Sequence, residues 1–297
     1  MTATDRDRQA ELLVLANALR PALHRYCARL MGSVIDGEDV VQDTFARALV
    51  ALQEMDEPPP LRPWLFKIAH NRALDLLRSR TVRKTEPLDA GLEVADAANP
   101  DPEEMLMRQE TVQTAVSRFT ELPVMQRSAV VLKDVLDETL TDIAALLGTS
   151  VDGVKGHLAR GRARLRQIQA QAEVAAPTQP PSEQAAHYAA LFNQRDWDGL
   201  RALLADDVKL IQSAYALRSG REDVGTFFTI YAKAEGVRLA PAWLEGREVI
   251  AVFENPSDPR PSYVMWLTWR DGKISFIRDY RYVRYVIAEA ELTLAPS

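Results

Sequence analysis

Five basic residues and no acids lie between Gly153 and Arg166, at the end of the segment TLTDIAALLGTSVDGVKGHLARGRARLR (139–166). Thr139 and Asp142 have capping-box spacing, and GTS predicts a tight turn into a second helix. The outward face of that helix is predicted to carry Asp152, Gly153, Lys155, Gly156 and Arg160. Such a basic face is typical of a recognition helix in a DNA major groove, with Arg162 following it to bind phosphates. A solvated basic helix that closes a bundle has the same pattern and stays an alternative.

A second basic segment is RPWLFKIAHNRALDLLRSR. It lies in the stretch from Arg62 to Lys84, which has seven Lys/Arg and one acid. The helix face opposite the apolar one is predicted to carry Lys67, Asn71 and Arg78, flanked by His70, Arg72 and Arg80. Cations beside an exposed ring suit an opened nucleic-acid strand, because bases stack on the ring and the cations bind phosphates. Trp64 is the candidate ring, with a core anchor as the alternative. His70 is expected at the surface, as a hydrogen-bonding group and not as a catalyst or ligand.

The segment IDGEDVVQDTFARAL crowds acids at a predicted helix start, where the helix dipole favours negative charge. Dipole compensation explains the crowding but leaves an acidic, amide-bearing face of Asp39, Gln42 and Asp43. In a domain whose other cations suit an anion, this face indicates a basic protein partner.

Three predicted domains position these residues, separated by two breaks. Residues 1–84 are helical throughout, and residues 85–104 form a linker that is acidic and contains no basic residue. Residues 105–172 are predicted to hold four helices, at roughly 104–119, 123–135, 140–147 and 151–167, with Pro123 opening the second and Gly148 closing the third. Residues 173–184 form a Pro-rich linker.

Residues 185–297 change character and predict an α+β domain. Helical segments are expected at 183–196, 197–205 and around 221–234. Four antiparallel strands are expected at 237–244, 247–254, 262–270 and 273–283, because these runs are rich in aromatic and β-branched residues and are separated by turns. The fold class is therefore multidomain, with two all-α domains followed by one α+β domain.

Composition excludes several classes of protein. No apolar run approaches the ~20 residues that span a bilayer, and the charged amino terminus lacks the apolar core of a secretion signal, so we expect a cytoplasmic protein. Cys27 is the only cysteine and there are four histidines, so neither an internal disulfide nor a zinc site is expected. We expect no cofactor and no metal.

The three segments, in this order and spacing, resemble a sigma factor of the extracytoplasmic-function group. DGEDVVQDTFARAL is similar to the family's core-polymerase-binding helix, which implies polymerase-binding roles for Glu38, Asp39, Gln42, Asp43 and Phe45. RPWLFKIAHNRALDLLRSR resembles the helix that melts and reads the minus-ten element, and residues 122–166 resemble the minus-thirty-five-reading domain. The resemblance covers about the first 170 residues and implies that the acidic linker threads into the polymerase near the RNA path. Gly153 stands where a threonine is usual, and GHLARG replaces a common SRLHRA; these departures concern the base preference.

The last domain resembles the SnoaL-like cone, in which a curved sheet wraps helices around a pocket. The resemblance implies a fused regulator. Its tail, from Arg278 to Tyr285, alternates cations with tyrosines, so we expect it to contact the sigma domains or the acidic linker, whose charge is complementary. A last strand with a solvated basic edge is the alternative. Enzymes also use the fold, so His187, Asp207, Asp279 and Arg281 are candidate pocket residues, although their spacing is not distinctive and no catalytic residue is assigned. Trp243, Tyr263, Trp266 and Tyr280 either line a pocket or pack in the core.

The function predicted from these patterns is promoter-directed transcription initiation by core RNA polymerase, by a protein that is not an enzyme. A helix-turn-helix repressor with an effector sensor is one alternative, but it leaves the first domain unexplained. An isomerase or hydrolase tethered to DNA is another, and it would need a convergent acid–base pair in the cone. The sequence leaves open whether a small molecule binds there.

Overall fold

A computed structural model describes residues 3–55, 57, 59–81, 111, 114–170, 180–213 and 217–296. The chain divides into a helical unit, Met1–Glu173, and a cone unit, Val174–Ser297. The predicted acidic linker (85–104) lies outside the described residues, as does the Pro-rich linker up to residue 179. The helical domains and the following α+β domain agree with the predicted fold class.

Six α-helices are described in the helical unit: α1 Ala3–Met31, α2 Val34–Gln53, α3 Leu61–Thr81, α4 Val124–Val130, α5 Leu140–Leu147 and α6 Val151–Ala170. Local chemistry sets several boundaries. Ser33 Oγ accepts a hydrogen bond from the Asp36 N–H at the start of α2, and Thr139 Oγ1 does the same for Asp142 at the start of α5. Gly148, at φ 68°, ends α5 in the left-handed conformation that favours glycine.

The predicted α5 is confirmed, and α6 extends three residues beyond its predicted end. The helix expected at 123–135 is shorter, because α4 passes into a π-turn at Val131–Val135. The helix expected at 104–119 is mostly outside the described residues, and its end forms a 3-10 helix, Val116–Glu121. Apolar side chains from α1, α2, α3 and the 3-10 helix share one core with those of α4, α5 and α6.

Close helix contacts require glycine at two positions. A Cβ on Gly37 would lie 2.5 Å from the Ala28 backbone, so α1 and α2 cross more closely there than any larger residue allows. A Cβ on Gly161 would lie 2.7 Å from Val130 Cγ2, where α6 packs on α4. One reason for glycine in α6 is therefore packing inside the unit.

The cone unit contains α7 Glu183–Asn193, α8 Trp197–Ala202, α9 Arg221–Gly225 and α10 Phe227–Ala232. Its sheet contains β1 Leu204–Gln212, β2 Arg218–Ser219, β3 Arg238–Leu244, β4 Arg247–Phe253, β5 Tyr263–Arg270, β6 Lys273–Asp279 and β7 Leu292–Leu294. The strand order is β2-β1-β6-β5-β4-β3-β7. One sheet face and the helices enclose an aromatic-rich core.

The four predicted strands are confirmed in outline, and two of the turns between them are tight hairpin turns. Glu245–Gly246 and Asp271–Gly272 have positive φ at both positions, which is the turn chemistry of tight hairpins. The prediction was wrong for β1, because residues 204–205 were assigned to a helix and no strand followed. The four predicted strands, β3 to β6, pair antiparallel as expected, whereas the missed β1 pairs in parallel with β6. The segment expected as one helix at 221–234 is two short helices, α9 and α10.

Candidate nucleic-acid and polymerase interfaces

The predicted basic face of α3 is largely solvent-exposed. Lys67, Asn71, Arg78 and Arg80 are exposed at helical steps, whereas Arg72 is half-buried. Arg72 Nε donates to Asp43 Oδ2 at 2.7 Å, and Arg80 Nη1 lies 3.0 Å from Asp36 Oδ2. The cations of α3 therefore meet the acids of α2 along one seam.

Neither Trp64 nor His70 is a fully exposed surface side chain. Trp64 is half-buried and packs against the helical core, although it remains partly accessible. His70 was expected at the surface, but it is 3% exposed and its Nδ1 is hydrogen-bonded to Tyr26 Oη at 2.6 Å. Burial, with the nearby charges of Lys67 and Arg78, lowers the pKa of His70 to about 4. His70 is thus a neutral, buried imidazole at neutral pH.

The acidic face of α2 has a buried edge and an accessible edge. Glu38 is fully buried and forms an ion pair with Arg20 at 3.2 Å. Phe45 is also buried, beneath the Arg20 guanidinium, which lies 4.5 Å from its ring centroid. Asp39, Gln42 and Asp43 are half-buried and border the surface. The accessible part of the predicted polymerase-binding face is therefore these three residues.

The start of α3 contacts α5 and the loop before it. Arg62 Nε donates to Glu138 Oε1 at 2.9 Å, and the pair is an ion pair. Lys67 Nζ donates to the Leu146 carbonyl oxygen at 2.6 Å, near the end of α5. Lys67, one of the predicted DNA-binding cations, is therefore hydrogen-bonded to α5, the helix that precedes the predicted recognition helix α6.

Residues of α6 divide between an outward face and an anchoring face. Asp152 is exposed, and its carboxylate pairs with Lys155 at 3.4 Å. Gly153 and Arg160 are half-buried, and Arg160 Nη2 lies 3.5 Å from His157 Nδ1. The prediction that Gly156 faces outward is wrong, because Gly156 is buried on the side of α6 that packs inside the unit. Arg162 donates from Nη2 and Nε to the buried carboxylate of Asp134, at 2.6 and 3.0 Å. Arg162 therefore anchors α6 to the π-turn after α4.

A buried guanidinium that sequence reasoning missed joins α4 to the end of α1. Arg127 Nη1 donates to the Leu30 carbonyl, and Nη2 donates to the Thr120 and Leu122 carbonyls at 2.8 and 2.9 Å. Burial lowers the pKa of Arg127 to about 10, so the group stays charged at neutral pH. We call this arrangement the Arg127 clasp. The sequence signal was faint: one arginine amid apolar residues in VMQRSAVV.

In the cone, three of the four candidate pocket residues lie at or near the surface. His187 is exposed on α7, and Asp207 is exposed and pairs with Arg270, which lowers the pKa of Asp207. Arg281 is half-buried and pairs with Glu254 at 3.4 Å. Arg284 Nη2 donates to the same carboxylate at 2.6 Å. The basic tail is therefore tied to a carboxylate of its own unit at two points.

Asp279 is the candidate that the fold buries. Its exposed fraction is 1%, and its Oδ2 accepts a hydrogen bond from Gln212 Nε2 at 2.7 Å, while Oδ1 accepts one from the Arg281 N–H at 3.0 Å. Burial raises the pKa of Asp279 to about 6, against the lowering effect of these hydrogen bonds. Tyr263 lies near it, whereas Trp266 stacks elsewhere, under the Arg247 guanidinium at 4.6 Å.

Of the residues that accompany Asp279, the sequence pointed to Tyr263 and missed two tyrosines and a glutamine. Tyr188, Gln212, Tyr231 and Tyr263 come from α7, β1, α10 and β5 and are far apart in the chain. Gln212 could not be placed because β1 was not predicted. Among the described residues, no group of histidines, cysteines and carboxylates is arranged to hold a metal ion, and no described helix is long and apolar enough to cross a bilayer.

Known families match most of the length of both units. The sigma-70 region 2 family matches residues 15–83, the sigma-70 region 4 family matches residues 115–165, and the SnoaL-like domain family matches residues 185–277. RNA polymerase sigma factor CnrH of Cupriavidus metallidurans is 36% identical over 137 residues, which cover 44% of this chain and 71% of CnrH.

Two mycobacterial proteins extend the likeness. The ECF RNA polymerase sigma factor SigG of Mycobacterium tuberculosis is 29% identical over 219 residues, which span 65% of this chain and 59% of SigG. The crystal structure of the M. tuberculosis extracytoplasmic function sigma factor SigJ aligns with 92% of this chain and 96% of its own, at 20% identity and a TM-score of 0.34.

The chain therefore belongs to the sigma-70 family of RNA polymerase sigma factors. Within that family it is a member of the extracytoplasmic-function group, and it carries a SnoaL-like domain after the sigma regions.

Proposed function

We propose that this sigma factor binds core RNA polymerase through the acidic face of α2 and directs it to promoters that α3 and α6 read. The observation that carries the proposal is the seam between α2 and α3, where Asp43 pairs with Arg72 and Asp36 with Arg80. Along that seam an acidic surface for a basic protein partner borders a basic surface for nucleic acid. A protein that joins a polymerase to DNA needs both surfaces on one rigid support.

The α2 surface is tested by charge reversal. Replacing Asp39 and Asp43 with lysine should weaken capture of core polymerase, because the face then repels a basic partner. Asp198→Lys with Asp206→Lys makes the same change in net charge at exposed positions of the cone and is the matched control. Equal capture of both double variants would contradict the assignment of this face.

For DNA, we assign Trp64, Lys67, His70, Asn71, Arg72, Arg78 and Arg80 on α3 to the minus-ten surface. We assign the minus-thirty-five surface to six residues of α6: Asp152, Gly153, Lys155, Gly156, Arg160 and Arg162. Within these sets, buried His70 and Gly156 and anchored Arg162 act by holding the helices in place, and the exposed and half-buried side chains make the contacts. Replacing Lys155 and Arg160 with alanine should flatten the salt dependence of promoter binding by about one unit for each cation that pairs with a phosphate in the parent chain. An unchanged slope across a salt series would contradict the α6 assignment.

We further propose that promoter binding requires α3 to exchange its contacts with the α5 region for contacts with DNA. Support comes from Lys67, whose ammonium group is engaged by the Leu146 carbonyl, and from the Arg62–Glu138 pair beside it. Glu138→Ala should raise promoter affinity about twofold, because exposed ion pairs contribute about 0.5 kcal/mol. Glu121→Ala removes a comparable exposed pair, with Arg118, away from α3 and should have no effect. Equal effects of the two variants would contradict this step.

The cone is proposed to adjust transcription by contacting the sigma domains or their linker, and not to act as an enzyme. Tethering through a short linker keeps it at high effective concentration near them. Its tail segment, residues 278–285, presents Tyr282 at the surface, although Arg281 and Arg284 already pair with Glu254. The cytoplasm, where transcription takes place, is the proposed location.

The decisive experiment is run-off transcription with saturating core polymerase. The full chain is compared with a chain that stops near Pro177, with equal folding of the helical unit checked by circular dichroism. We expect both to direct initiation at the same start site with different yields. No initiation by either chain would contradict the proposed function, and identical yields would contradict regulation by the cone.

A further inference from the structure

The predicted recognition helix α6 is fixed to the rest of the helical unit by an ion pair that lies beyond its DNA-side residues. Arg162 Nε and Nη2 donate to the two carboxylate oxygens of Asp134, at 3.0 and 2.6 Å. Both side chains are largely withdrawn from solvent, with exposed fractions of 17% for Arg162 and 1% for Asp134. Such a bidentate pair is strong and directional, because the planar guanidinium matches a carboxylate in few orientations. We call this pair the Asp134–Arg162 fork.

The backbones that carry the fork are themselves held in place. Asp134 lies in the π-turn Val131–Val135, and such turns are rare and recur at functional sites. Next to Arg162, the backbone of α6 lies against α4, since a Cβ on Gly161 would be 2.7 Å from Val130 Cγ2. The apolar contact at Gly161 sets how closely the two helices approach, whereas the directional fork sets the rotation and tilt of α6.

The length of α6 between the fork and the DNA-side residues converts a small tilt into a large displacement. Lys155 lies seven residues before Arg162. That separation is about 10 Å along the helix axis, at about 1.5 Å per residue. A tilt of about 10° at the fork would therefore move Lys155 by roughly 2 Å, which is far more than the spread of hydrogen-bond lengths allows. Contacts of α6 with base edges thus depend on a residue outside the DNA-side set.

We infer that Asp134 is a positioning residue for promoter recognition. It holds Arg162, and through Arg162 it sets the direction in which the first two turns of α6 meet the base pairs. Arg162 accordingly binds a carboxylate of the protein and not a phosphate of DNA. The inference rests on the proposed reading of promoters by α6 and extends it to a residue that makes no contact with DNA.

The test compares Asp134→Asn with Asp137→Asn, each in the full chain bound to core polymerase. Both changes remove one negative charge and keep the size of the side chain, but the Asp137 side chain is 71% exposed and pairs with Lys133 at 3.4 Å. Affinity is measured for a promoter fragment that the parent transcribes and for a fragment of the same length with a scrambled upstream element.

Charge and positioning predict opposite results for Asp134→Asn. Loss of an acid by itself should leave binding to both fragments equal or tighter, because DNA is an anion. Loss of positioning should lower the ratio of promoter affinity to scrambled-fragment affinity about tenfold, as for the loss of one base contact. Asp137→Asn should leave that ratio unchanged. A purely structural role for Asp134 would lower the active fraction of the protein for both fragments alike, and the ratio would not move.

Two further measurements separate positioning from phosphate binding. Arg162→Lys keeps the charge but cannot form the fork, so it should lower the ratio as Asp134→Asn does, whereas a phosphate contact would tolerate lysine. The salt dependence of promoter binding by Asp134→Asn should keep the slope of the parent, because no phosphate contact is lost.

An unchanged ratio in Asp134→Asn, or an equal fall in Asp137→Asn, would overturn the inference while leaving the proposed function intact. A parent chain that binds both fragments equally would contradict the proposed function, and this inference with it. If neither fork variant folds, the structure of the parent chain bound to polymerase and promoter decides the question. We expect the fork to persist there, and an Arg162 guanidinium bound to a phosphate would refute the assignment.

Discussion

The helical unit and the cone each bury a titratable side chain among tyrosines, and the two side chains respond to pH in opposite directions. His70 is hydrogen-bonded to Tyr26, and burial keeps its imidazole neutral. Asp279 lies near Tyr188 and Tyr263, and burial favours its protonated form. Burial disfavours the charged form in both cases, but the charged form is the protonated one for His70 and the deprotonated one for Asp279.

The difference teaches what buried polar groups do in each unit. In the helical unit they join one helix to another: Arg127 links α4 to α1, Asp134 receives Arg162 from α6, and His70 links α3 to α1. In the cone they converge around Asp279, which accepts hydrogen bonds from Gln212 and from the Arg281 N–H. The first pattern fixes helices relative to each other, whereas the second holds one ionisable carboxylate inside the sheet domain.

The largest effect is expected at the Arg127 clasp. Arg127→Met should lower the free energy of unfolding of the helical unit by about 4 kcal/mol, because the buried carbonyl oxygens of Leu30 and Leu122, and that of Thr120, lose a charged donor. The free energy of unfolding of each unit is measured over a series of urea concentrations, with hydrogen exchange in peptides from that unit as the signal. Arg118→Met, at an exposed arginine of the neighbouring 3-10 helix, is the control. Equal destabilisation by the two changes would contradict a special role for the clasp.

The next prediction concerns the pH dependence of the helical unit. The pKa of His70 is about 4 in the folded state against 6.5 in its ordinary state, so between these values the unfolded chain binds more protons. Stability of the unit should therefore rise by about 3 kcal/mol from pH 4 to pH 6.5 through this group. Hydrogen exchange corrected for its intrinsic pH dependence measures the slope. His70→Asn, which keeps a neutral polar group, should flatten it, and a slope unchanged in that variant would exclude His70 as the cause.

The cone should show the reverse slope over a similar window. Asp279 has a folded pKa of about 6 against an ordinary 3.8, so the folded state binds more protons between these values. Stability is therefore greatest below pH 4 and falls by about 3 kcal/mol as the pH rises through 6. Asp279→Asn should abolish the fall when cone peptides are followed by the same exchange method. A parent cone whose stability rises with pH over this range would break the comparison between the units.

The smallest effect is expected at two exposed residues of the cone, the candidate His187 and Arg270, which is the partner of the candidate Asp207. His187→Ala and Arg270→Ala should leave the melting temperature of the cone unchanged within error, because both side chains face solvent. Exposed ion pairs such as Arg270–Asp207 are strongly screened by water and salt. Differential scanning calorimetry checks this, and a lower melting temperature in either variant would contradict it.

The helices were predictable because their signals are local. Thr139, Asp142 and Gly148 set the bounds of α5 through caps that the sequence displays, and the DG turn sets the β5–β6 hairpin. The basic face of α3 followed from helical spacing in the same way. His70 was placed at the surface because the sequence does not show that Tyr26, 44 residues earlier, packs against it.

Long-range pairing explains what the sequence could not supply. The β1 strand begins with LADD, and its partner β6 is far along the chain, so neither the strand nor Gln212 carries a local signal. Arg127 and Asp134 resemble ordinary helix charges until their distant partners are known. The buried residues near Asp279 have the same origin, since Tyr188, Gln212, Tyr231 and Tyr263 come from four different elements.

The parallel pairing of β1 with β6 also sets an order of events during synthesis. Gln212 and Asp279 are 67 residues apart, and β6 separates β1 from the rest of the sheet. At ribosomal rates of about 5–20 residues per second, β1 waits roughly 3–13 s for its partner to be made. The sigma regions precede both strands and can fold during that interval, whereas the cone closes last and slowly, as expected for sheets with distant partners. Each newly made chain therefore passes through a period in which its sigma regions can be folded while its SnoaL-like domain is not.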